Sequence, residues 1–405
     1  MKNKLATYAP FILVAVYPLG MAVQNIGAVL ALLFLLPTAL ENRTKISKLN
    51  LRAKIYMGLI FAMIGVSILA TLLNETNVEP RFGKYIGGYI GFILLPILFY
   101  LQPKRLIFDN KEKLFKVFVY GTAFIALVCI SQKIWGWQVS GSSMVFSEGA
   151  KRPRGLYSHP LTCAYVALVF WPIAVGRVLK EPTKWLSWLL MISLTIVMIL
   201  TSSRTAQAVC ALTMGLQIFV SLRGKARVLS VGLVLAILTG VAFTKNPVSD
   251  RFKSTLTHQS PMRAKGYPDD RVAFWHVFWT MIKEKPILGH GIDLNTKYRT
   301  PYYEDIGLSD FKKKYSAHNM FIQVTAESGF VGLTIFCSFL LVMLNLFLYS
   351  FREHWIKIAA GLMLLGFMVA SLTQNAIQDS IVKNALLIWV VCAFDMLSFR
   401  DEEKA

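Results

Sequence analysis

Acidic residues are scarce in this 405-residue chain, which has 22 Asp and Glu against 43 Lys and Arg and a formal net charge of +21. Carboxylates are nearly absent from its long apolar runs. Transporters that couple to protons or sodium usually carry carboxylates within their spans, so this composition argues against that class of protein.

Cysteine gives no sign of a structural framework. The chain has five cysteines, each inside an apolar run: Cys129, Cys163, Cys210, Cys337 and Cys392. None has a partner at metal-ligand spacing, so the sequence supports neither a disulfide framework nor a zinc site.

Several motifs that carry well-known chemistry are also missing. The chain has no GxxxxGK[ST], no CxxC, no HExxH and no GxSxG, which argues against the enzyme classes that depend on them. Asp269 and Asp270 could in principle bind a divalent ion, but adjacent residues on a helix point in different directions. We therefore expect no metal site and no cofactor.

Apolar sequence is what the chain has in abundance, with 55% hydrophobic residues and a mean hydropathy of +0.52. The first apolar run is followed by others throughout, so we expect it to be a span and not a cleaved signal peptide. A span needs about 17–25 mostly apolar residues. The sequence predicts an all-α polytopic membrane protein with about twelve spans, near residues 7–23, 25–40, 55–73, 86–101, 115–134, 160–177, 185–201, 205–221, 228–244, 329–350, 357–373 and 384–398.

Basic residues cluster in five short connectors between these runs. They are Arg43, Lys45, Lys48, Arg52 and Lys54; Lys104, Arg105, Lys111 and Lys113; Arg177, Lys180 and Lys184; Arg223, Lys225 and Arg227; and Arg352 and Lys357. All five fall on the cytoplasmic side if twelve spans place both termini in the cytoplasm. This topology explains the basic composition by orientation and contact with anionic lipid, and not by binding to nucleic acid.

The one long polar stretch lies between the ninth and tenth predicted spans. We therefore divide the chain into a membrane domain at 1–244 with spans 1–9, a large external loop at 245–328, and a membrane domain at 329–405 with spans 10–12 and a cytoplasmic tail. Helical periodicity predicts amphipathic helices in the loop. The apolar face of the first would consist of Val272, Trp275, Phe278, Trp279 and Ile282.

A second short helix is predicted at the end of this loop. Ser316 is a plausible N-cap, and Met320, Phe321 and Val324 would then lie on the buried face.

Three cationic or titratable residues on the predicted outer side stand out. Arg204 lies at the junction of two apolar runs, where a charge is costly unless it reaches the interface or has an anionic partner. Arg271 follows two aspartates, and an ordinary ion pair at a helix start is its simplest alternative role. His318 lies near a helix start, where the helix dipole would favour a neighbouring anion; a purely structural histidine is the alternative.

Further cations lie on the same predicted side. Arg154 belongs to a basic segment before the sixth span, and Arg81 and Lys84 form a smaller pair in an outer connector. Ordinary surface clusters are the alternative explanation. Together these residues place cations at the depth of lipid headgroups, which suits a substrate that carries phosphates on a lipid.

The order of several short motifs resembles the O-antigen ligase and O-antigen polymerase superfamily. The similar segments are Ser202-Ser203-Arg204-Thr205, Arg154-Gly155-Leu156-Tyr157-Ser158-His159-Pro160, Arg271-x-x-x-Trp275, Pro286-x-x-Gly289-x-Gly291 and His318-Asn319-x-x-x-Gln323-x-x-x-Glu327-x-Gly329-x-x-Gly332. The motif resemblance covers roughly residues 150–335. His159 departs from the family pattern, which leaves its role open.

This resemblance implies a GT-C-like glycosyltransferase of the bacterial inner membrane with a periplasmic active site. It would transfer O-antigen polysaccharide from undecaprenyl diphosphate to lipid A-core, with inversion and without a metal. The resemblance carries catalytic roles over to Arg204, Arg271 and His318, with the histidine as base and the arginines on the diphosphate. Arg154, Arg81, Lys84, Trp275 and Asn319 are the expected substrate-binding residues.

Three alternatives remain open at this point: an O-antigen polymerase that uses the same carrier, a protein O-oligosaccharyltransferase, and a polysaccharide or lipid exporter. The single dominant loop favours the ligase over the polymerase. The scarcity of charge within the spans argues against the exporter. The sequence does not indicate an oligomeric state.

Overall fold

A computed structural model of the chain describes residues 2–74, 82–140, 143–146, 152–230, 232, 270–292, 296–307 and 316–402. Its helices are α1 (Lys2–Ala6), α2 (Ala9–Val16), α3 (Met21–Glu41), α4 (Leu51–Leu73), α5 (Phe82–Tyr100), α6 (Lys111–Trp135), α7 (Pro160–Lys180), α8 (Trp185–Thr201), α9 (Arg204–Ser221), α10 (Asp270–Glu284), α11 (Thr296–Asp305), α12 (Met320–Ser350), α13 (His354–Ser371) and α14 (Ser380–Glu402). One antiparallel hairpin, β1 (Trp137–Ser140) with β2 (Ser143–Phe146), follows α6.

The prediction of an all-α architecture is confirmed apart from this small hairpin. Seven of the described helices are long and apolar enough to cross a membrane, and three shorter apolar helices accompany them. These helices agree with a polytopic membrane protein, whereas the number of twelve crossings stays a prediction.

Two predicted spans differ from the structure or lie outside it. The first, near 7–23, is not one continuous helix, because α2 ends at Val16 and α3 begins only at Met21. The Pro18-Leu19-Gly20 sequence between them supplies the break, since proline and glycine disfavour a continuing helix. Most of the ninth, near 228–244, lies outside the described residues.

Helix α7 is the centre of the bundle. In its apolar window 83% of the residues are buried, against 33% in α3 and in α4. It packs against α8, α9, α13 and α14. A helix that is apolar on all sides is stable only when other helices or lipid surround it, and these four helices cover α7.

Helix α12 is broken at Gly329, whose φ of 64° and ψ of −170° are outside the helical region. The carbonyl groups of Pro286 and Ile287 accept hydrogen bonds, at 2.8 and 3.3 Å, from the two amides that follow the break. The amides of His290 and Gly291 donate, at 2.9 and 2.8 Å, to the two carbonyl groups immediately before Ser328. The segment 286–291 thus satisfies the backbone groups that the broken helix leaves free.

This docking also locates the predicted boundary between loop and membrane domain. The boundary at 328/329 falls inside α12 at its break. Helix α10 ends at Glu284, just before Pro286, because proline disfavours a continuing helix. The last turn of α4 joins the same assembly, because Asn74 donates to the carbonyl of Gly289 at 3.0 Å.

Candidate functional site

Four of the described helices begin at one end of the bundle, and each is capped by a side chain. His159 Nδ1 accepts from the amide of Leu161 at the start of α7, and Ser203 caps α9. Asn319 caps α12, and Asp379 Oδ1 accepts two amides at the start of α14. Helix N-termini carry partial positive charge, which favours an anion close to each of these four helix starts.

The predicted N-cap of α12 was wrong. Asn319, and not Ser316, accepts hydrogen bonds from the amides of Phe321 and Ile322, at 3.0 and 3.2 Å. Ser316 lies too far ahead, because a cap bonds the amides two or three residues after it.

His318 lies immediately before this cap in a left-handed conformation, with φ of 47°. Its Nδ1 lies 2.9 Å from Oε1 of Gln374, and its ring stacks on Phe274 with centroids 5.8 Å apart. A side-chain oxygen accepts only if Nδ1 carries the proton, so neutral His318 has its lone pair on Nε2. The contact with Gln374 therefore favours the tautomer in which Nε2 is the proton acceptor.

Burial lowers the pKa of His318 below its ordinary value. The positive charge of Arg271 acts in the same direction, and the hydrogen bond to Gln374 opposes both. Burial and a nearby cation both disfavour the imidazolium. His318 is therefore neutral, and able to accept a proton, over a wider range of pH than an exposed histidine.

Arg271 is an exposed residue in the first turn of α10. Its charge acts on the imidazole of His318 and also on the hydroxyl of Tyr165 in α7. Arg271 on the loop helix therefore lies within electrostatic range of the central helix α7. The structure brings two of the three predicted catalytic residues, Arg271 and His318, to one place.

Helix α10 packs against α12 and α11, and one of its faces is buried in these contacts. The buried residues are Ala273, Phe274, Val277, Phe278, Met281 and Ile282. Phe278 and Ile282 confirm part of the predicted apolar face, but Val272 and Trp279 are 38% and 48% exposed, so that part was wrong. Helix α10 carries apolar side chains on most of its sides. Its periodicity is therefore compatible with two buried faces, and packing determines which one is buried.

Arg204 is the first residue of α9, after a turn in which Ser202 has φ of 51°. Its neighbour Thr205 accepts a hydrogen bond of 3.1 Å from Thr373. Thr373 also lies 3.5 Å from the hydroxyl of Tyr165, on which the charge of Arg271 acts. The start of α9 is therefore connected to the surroundings of Arg271 through two side chains.

A polar connector, residues 373–379, joins α13 to α14 and ties these parts together. Beside Gln374, its Asn375 donates to Gln323 at 3.3 Å, and its Gln378 donates to Glu327 at 3.2 Å. Sequence reasoning treated this segment only as a short outer connector. Its signal was the run Thr-Gln-Asn followed by Gln-Asp between two apolar runs.

His159 and Asp379 are further members of the site that sequence reasoning left open or missed. Asp379 accepts a hydrogen bond from Thr162 in α7. Burial lowers the pKa of His159, and the charge of Arg152 acts in the same direction. Asp379 opposes this effect, and His318 lies close enough to act on the same imidazole. Among the described residues, His159, His318, the carboxylate of Asp379 and at least two guanidinium groups thus share this end of the bundle.

The predicted substrate-binding residues have defined positions where the structure describes them. The guanidinium of Arg154 donates to the carbonyl of Ser158, at 3.0 Å, and to that of Val139. Asn319 is occupied as a cap. Trp275 is half-buried on α10, and its indole Nε1 is buried with no hydrogen-bond partner among the described residues.

The remaining predicted substrate-binding pair lies at the start of α5. Lys84 is in the first turn of that helix. Arg81 lies outside the described residues, as does Asp269. Within the described ranges, no group of three or more His, Cys, Asp and Glu residues is arranged to hold a metal ion.

The amino-acid sequence of this chain is similar to those of known proteins. Residues 189–337 match the family model described as O-antigen ligase. A protein of Rickettsia bellii (strain RML369-C), named "Putative polysaccharide ligase", is 25% identical over 271 residues. That match covers 63% of this chain and 61% of the relative, less than two thirds of its length. The family region contains Arg204, Arg271 and His318, and these findings confirm the resemblance seen in the motifs.

Proposed function

Because this chain carries an O-antigen ligase region, we propose that it is a glycosyltransferase that transfers O-antigen polysaccharide from undecaprenyl diphosphate to lipid A-core. The observation that carries this proposal is the pair His318 and Arg271, with the imidazole fixed by Gln374. A base beside a cation, at an end where helices present their N-termini, suits a reaction between a hydroxyl group and a glycosyl diphosphate.

In the proposed reaction, Nε2 of His318 takes the proton of the acceptor hydroxyl. The hydroxyl oxygen then forms a bond to the anomeric carbon as the bond from that carbon to the phosphate oxygen breaks. The diphosphate leaves with the electron pair, and direct displacement inverts the anomeric configuration. Positioned general bases of this kind contribute about 10²- to 10⁴-fold to rate.

The two arginines act on the leaving group in this mechanism. Negative charge grows on the phosphate oxygens in the transition state, and fixed guanidinium groups stabilise it through paired hydrogen bonds. Arg271 has the exposure that contact with a substrate requires. Arg204 at the start of α9 adds its charge to that of a helix N-terminus.

The proposed membrane orientation follows from the basic connectors. If they lie in the cytoplasm, the site faces the periplasm of the bacterial inner membrane, where both lipid-linked substrates would meet. Entry of substrates from the bilayer would place the polyprenyl chain in lipid and the diphosphate at headgroup depth, close to the site cations.

The direct test uses purified full-length protein with a lipid-linked donor and a lipid A-core acceptor. We expect His318→Ala to retain its fold and to lose at least about 100-fold in rate. His354→Ala is the matched control, since His354 begins α13 at the opposite end of the bundle. Normal transfer by His318→Ala would refute the assignment of the base.

The products separate the proposed ligase from its relatives. Deletion of a ligase leaves long polymer on undecaprenyl diphosphate, whereas deletion of a polymerase leaves single repeats attached to core. A protein oligosaccharyltransferase would attach the glycan to Ser or Thr, and an exporter would give no covalent product.

A further inference from the structure

An apolar cavity of about 300 Å³ lies at the end of the bundle opposite the candidate site. Helix α7 fixes this relation, because it begins at the site with Pro160 and reaches the cavity at Ile173 and Arg177. Further walls come from α2, α6 and α14 and from the residues that precede and begin α13. Neither His318 nor Arg271 lines it.

The deep part of the cavity is formed by aromatic and aliphatic side chains. Phe118 of α6 and Phe170 of α7 both line it, and their rings pack edge to face with centroids 4.8 Å apart. Leu13 and Ile388 continue this lining from α2 and α14. Apolar cavities stay free of water and take up apolar ligands, and this volume is in the lower part of the range for ligand pockets.

The rim of the cavity is charged, with more basic than acidic residues. They are Lys111, Arg177, Lys180 and Arg352 against Glu112, Glu181 and Glu353. Arg177 pairs with Glu112 at 3.2 Å and with Glu181 at 3.3 Å. The charge of Arg177 is thus neutralised by carboxylates, and the positive excess of the rim lies at other residues.

That excess lies at Glu353, which two lysines share. Lys111 Nζ lies 3.6 Å from one of its oxygens, and Lys180 pairs with the other. Trp355 Nε1 also donates to the second oxygen at 2.6 Å, so this carboxylate accepts two hydrogen bonds and forms a further ion pair with Lys111. Each ammonium group has three hydrogens, so both lysines retain capacity for a further acceptor.

We propose that this cavity binds an anionic phospholipid, with one acyl chain packed against Phe118 and Phe170 and the phosphate at Lys111 and Lys180. The apolar depth fits a hydrocarbon chain, and the positive excess at the rim favours an anionic over a zwitterionic headgroup. Basic pockets between membrane helices select such lipids by the same combination of contacts. This site is independent of glycosyl transfer, so its test does not depend on the proposed function.

Native mass spectrometry of the full-length protein in detergent tests the proposal directly. Phosphatidylglycerol and phosphatidylcholine with identical acyl chains are the two lipid probes, and inorganic phosphate is the probe without a chain. We expect phosphatidylglycerol to be retained about tenfold more than phosphatidylcholine, since each basic residue near the headgroup contributes modestly to binding. Inorganic phosphate alone should not be retained.

Substitutions test the contributions of the rim and of the deep part of the cavity to lipid binding separately. Lys111→Gln combined with Lys180→Gln should remove the preference for phosphatidylglycerol. Lys184→Gln is the matched control, because Lys184 lies at the same end and pairs with Glu181 without lining the cavity. Ile173→Trp should reduce retention of both lipids by filling the space that the chain occupies.

A second measurement covers the case in which Ile173→Trp does not fold. Phosphatidylglycerol with a brominated acyl chain should quench the fluorescence of Trp389, which lines the cavity, and Trp389→Phe should remove that quenching. Equal retention of the two lipids, retention of phosphate without a chain, or absence of quenching would overturn the proposal.

Discussion

The Nδ1 atom of His318 lies 2.9 Å from Oε1 of Gln374, although the two residues are 56 positions apart in the chain. This contact joins the end of the loop region to the connector between α13 and α14. It also favours the tautomer in which Nε2 is the proton acceptor. The proposed base is thus oriented by a neutral amide and not by a carboxylate, and burial lowers its pKa although the hydrogen bond to Gln374 acts in the opposite direction.

The first prediction concerns pH dependence. Because the neutral imidazole is the active form and burial lowers its pKa, the acidic limb of the kcat profile should lie at lower pH than for a histidine of ordinary pKa. Gln374→Glu places a negative charge beside the ring and favours the imidazolium. The acidic limb of the kcat profile should therefore move to higher pH, by about one to three units.

Gln374→Met is the control for this experiment. It removes the acceptor without adding charge, so it should lower kcat without moving the acidic limb upward. A profile that is the same in the wild type and in Gln374→Glu would show that His318 is not the titrating group.

The second prediction separates two arginines by what each supports. Arg154 donates to two backbone carbonyls, whereas Arg271 is exposed beside His318. We expect Arg154→Gln to lower the stability of the fold by about 1–3 kcal/mol. Arg271→Gln should leave stability unchanged and lower kcat/KM by about 10²- to 10³-fold, as expected for loss of a group that stabilises transition-state charge.

Thermal unfolding in detergent and the rate per folded molecule measure these two effects separately. A large rate loss in folded Arg154→Gln would instead support the substrate-binding role that the sequence predicts for Arg154. Thermal destabilisation by Arg271→Gln would instead assign Arg271 a structural role.

The third prediction concerns the break in α12. At Gly329 the backbone adopts a conformation that is nearly restricted to glycine, and an added Cβ would overlap the carbonyl oxygen of Ile287. Gly329→Ala should therefore destabilise the protein by at least about 2 kcal/mol through strain and loss of the docked segment 286–291. A lower unfolding temperature and loss of activity would both be expected.

Gly65→Ala is the matched control, since Gly65 lies within α4 and an added Cβ would meet nothing within 4 Å. Alanine is favoured over glycine in a helix, so this variant should be as stable as the wild type or more stable. An unfolding temperature of Gly329→Ala equal to that of Gly65→Ala would contradict the proposed role of the break.

Much of the helical architecture could be predicted because long apolar runs have few alternatives in a membrane. The helix junction at Ser202-Ser203-Arg204 was predicted from the same apolar runs. The buried face of α10 could be predicted only in part, because apolar residues surround most of it. Gln374 and Asp379 were missed as site residues, since a polar residue in a connector carries no local mark of the side chain it will meet.

The sequence by itself determined that the chain forms apolar helices, where several of them begin and end, and which cations and histidine are candidates for chemistry. These properties follow from hydropathy, helix capping and backbone preference, which depend on residues close together in the chain. Only the tertiary structure decided that Gln374 orients His318 and that segment 286–291 docks on the break at Gly329. It also decided that an apolar cavity with a charged rim lies at the end of the bundle opposite the candidate site. Such contacts depend on how distant helices pack, because hydrogen bonds and cavities form between side chains that no local pattern brings together.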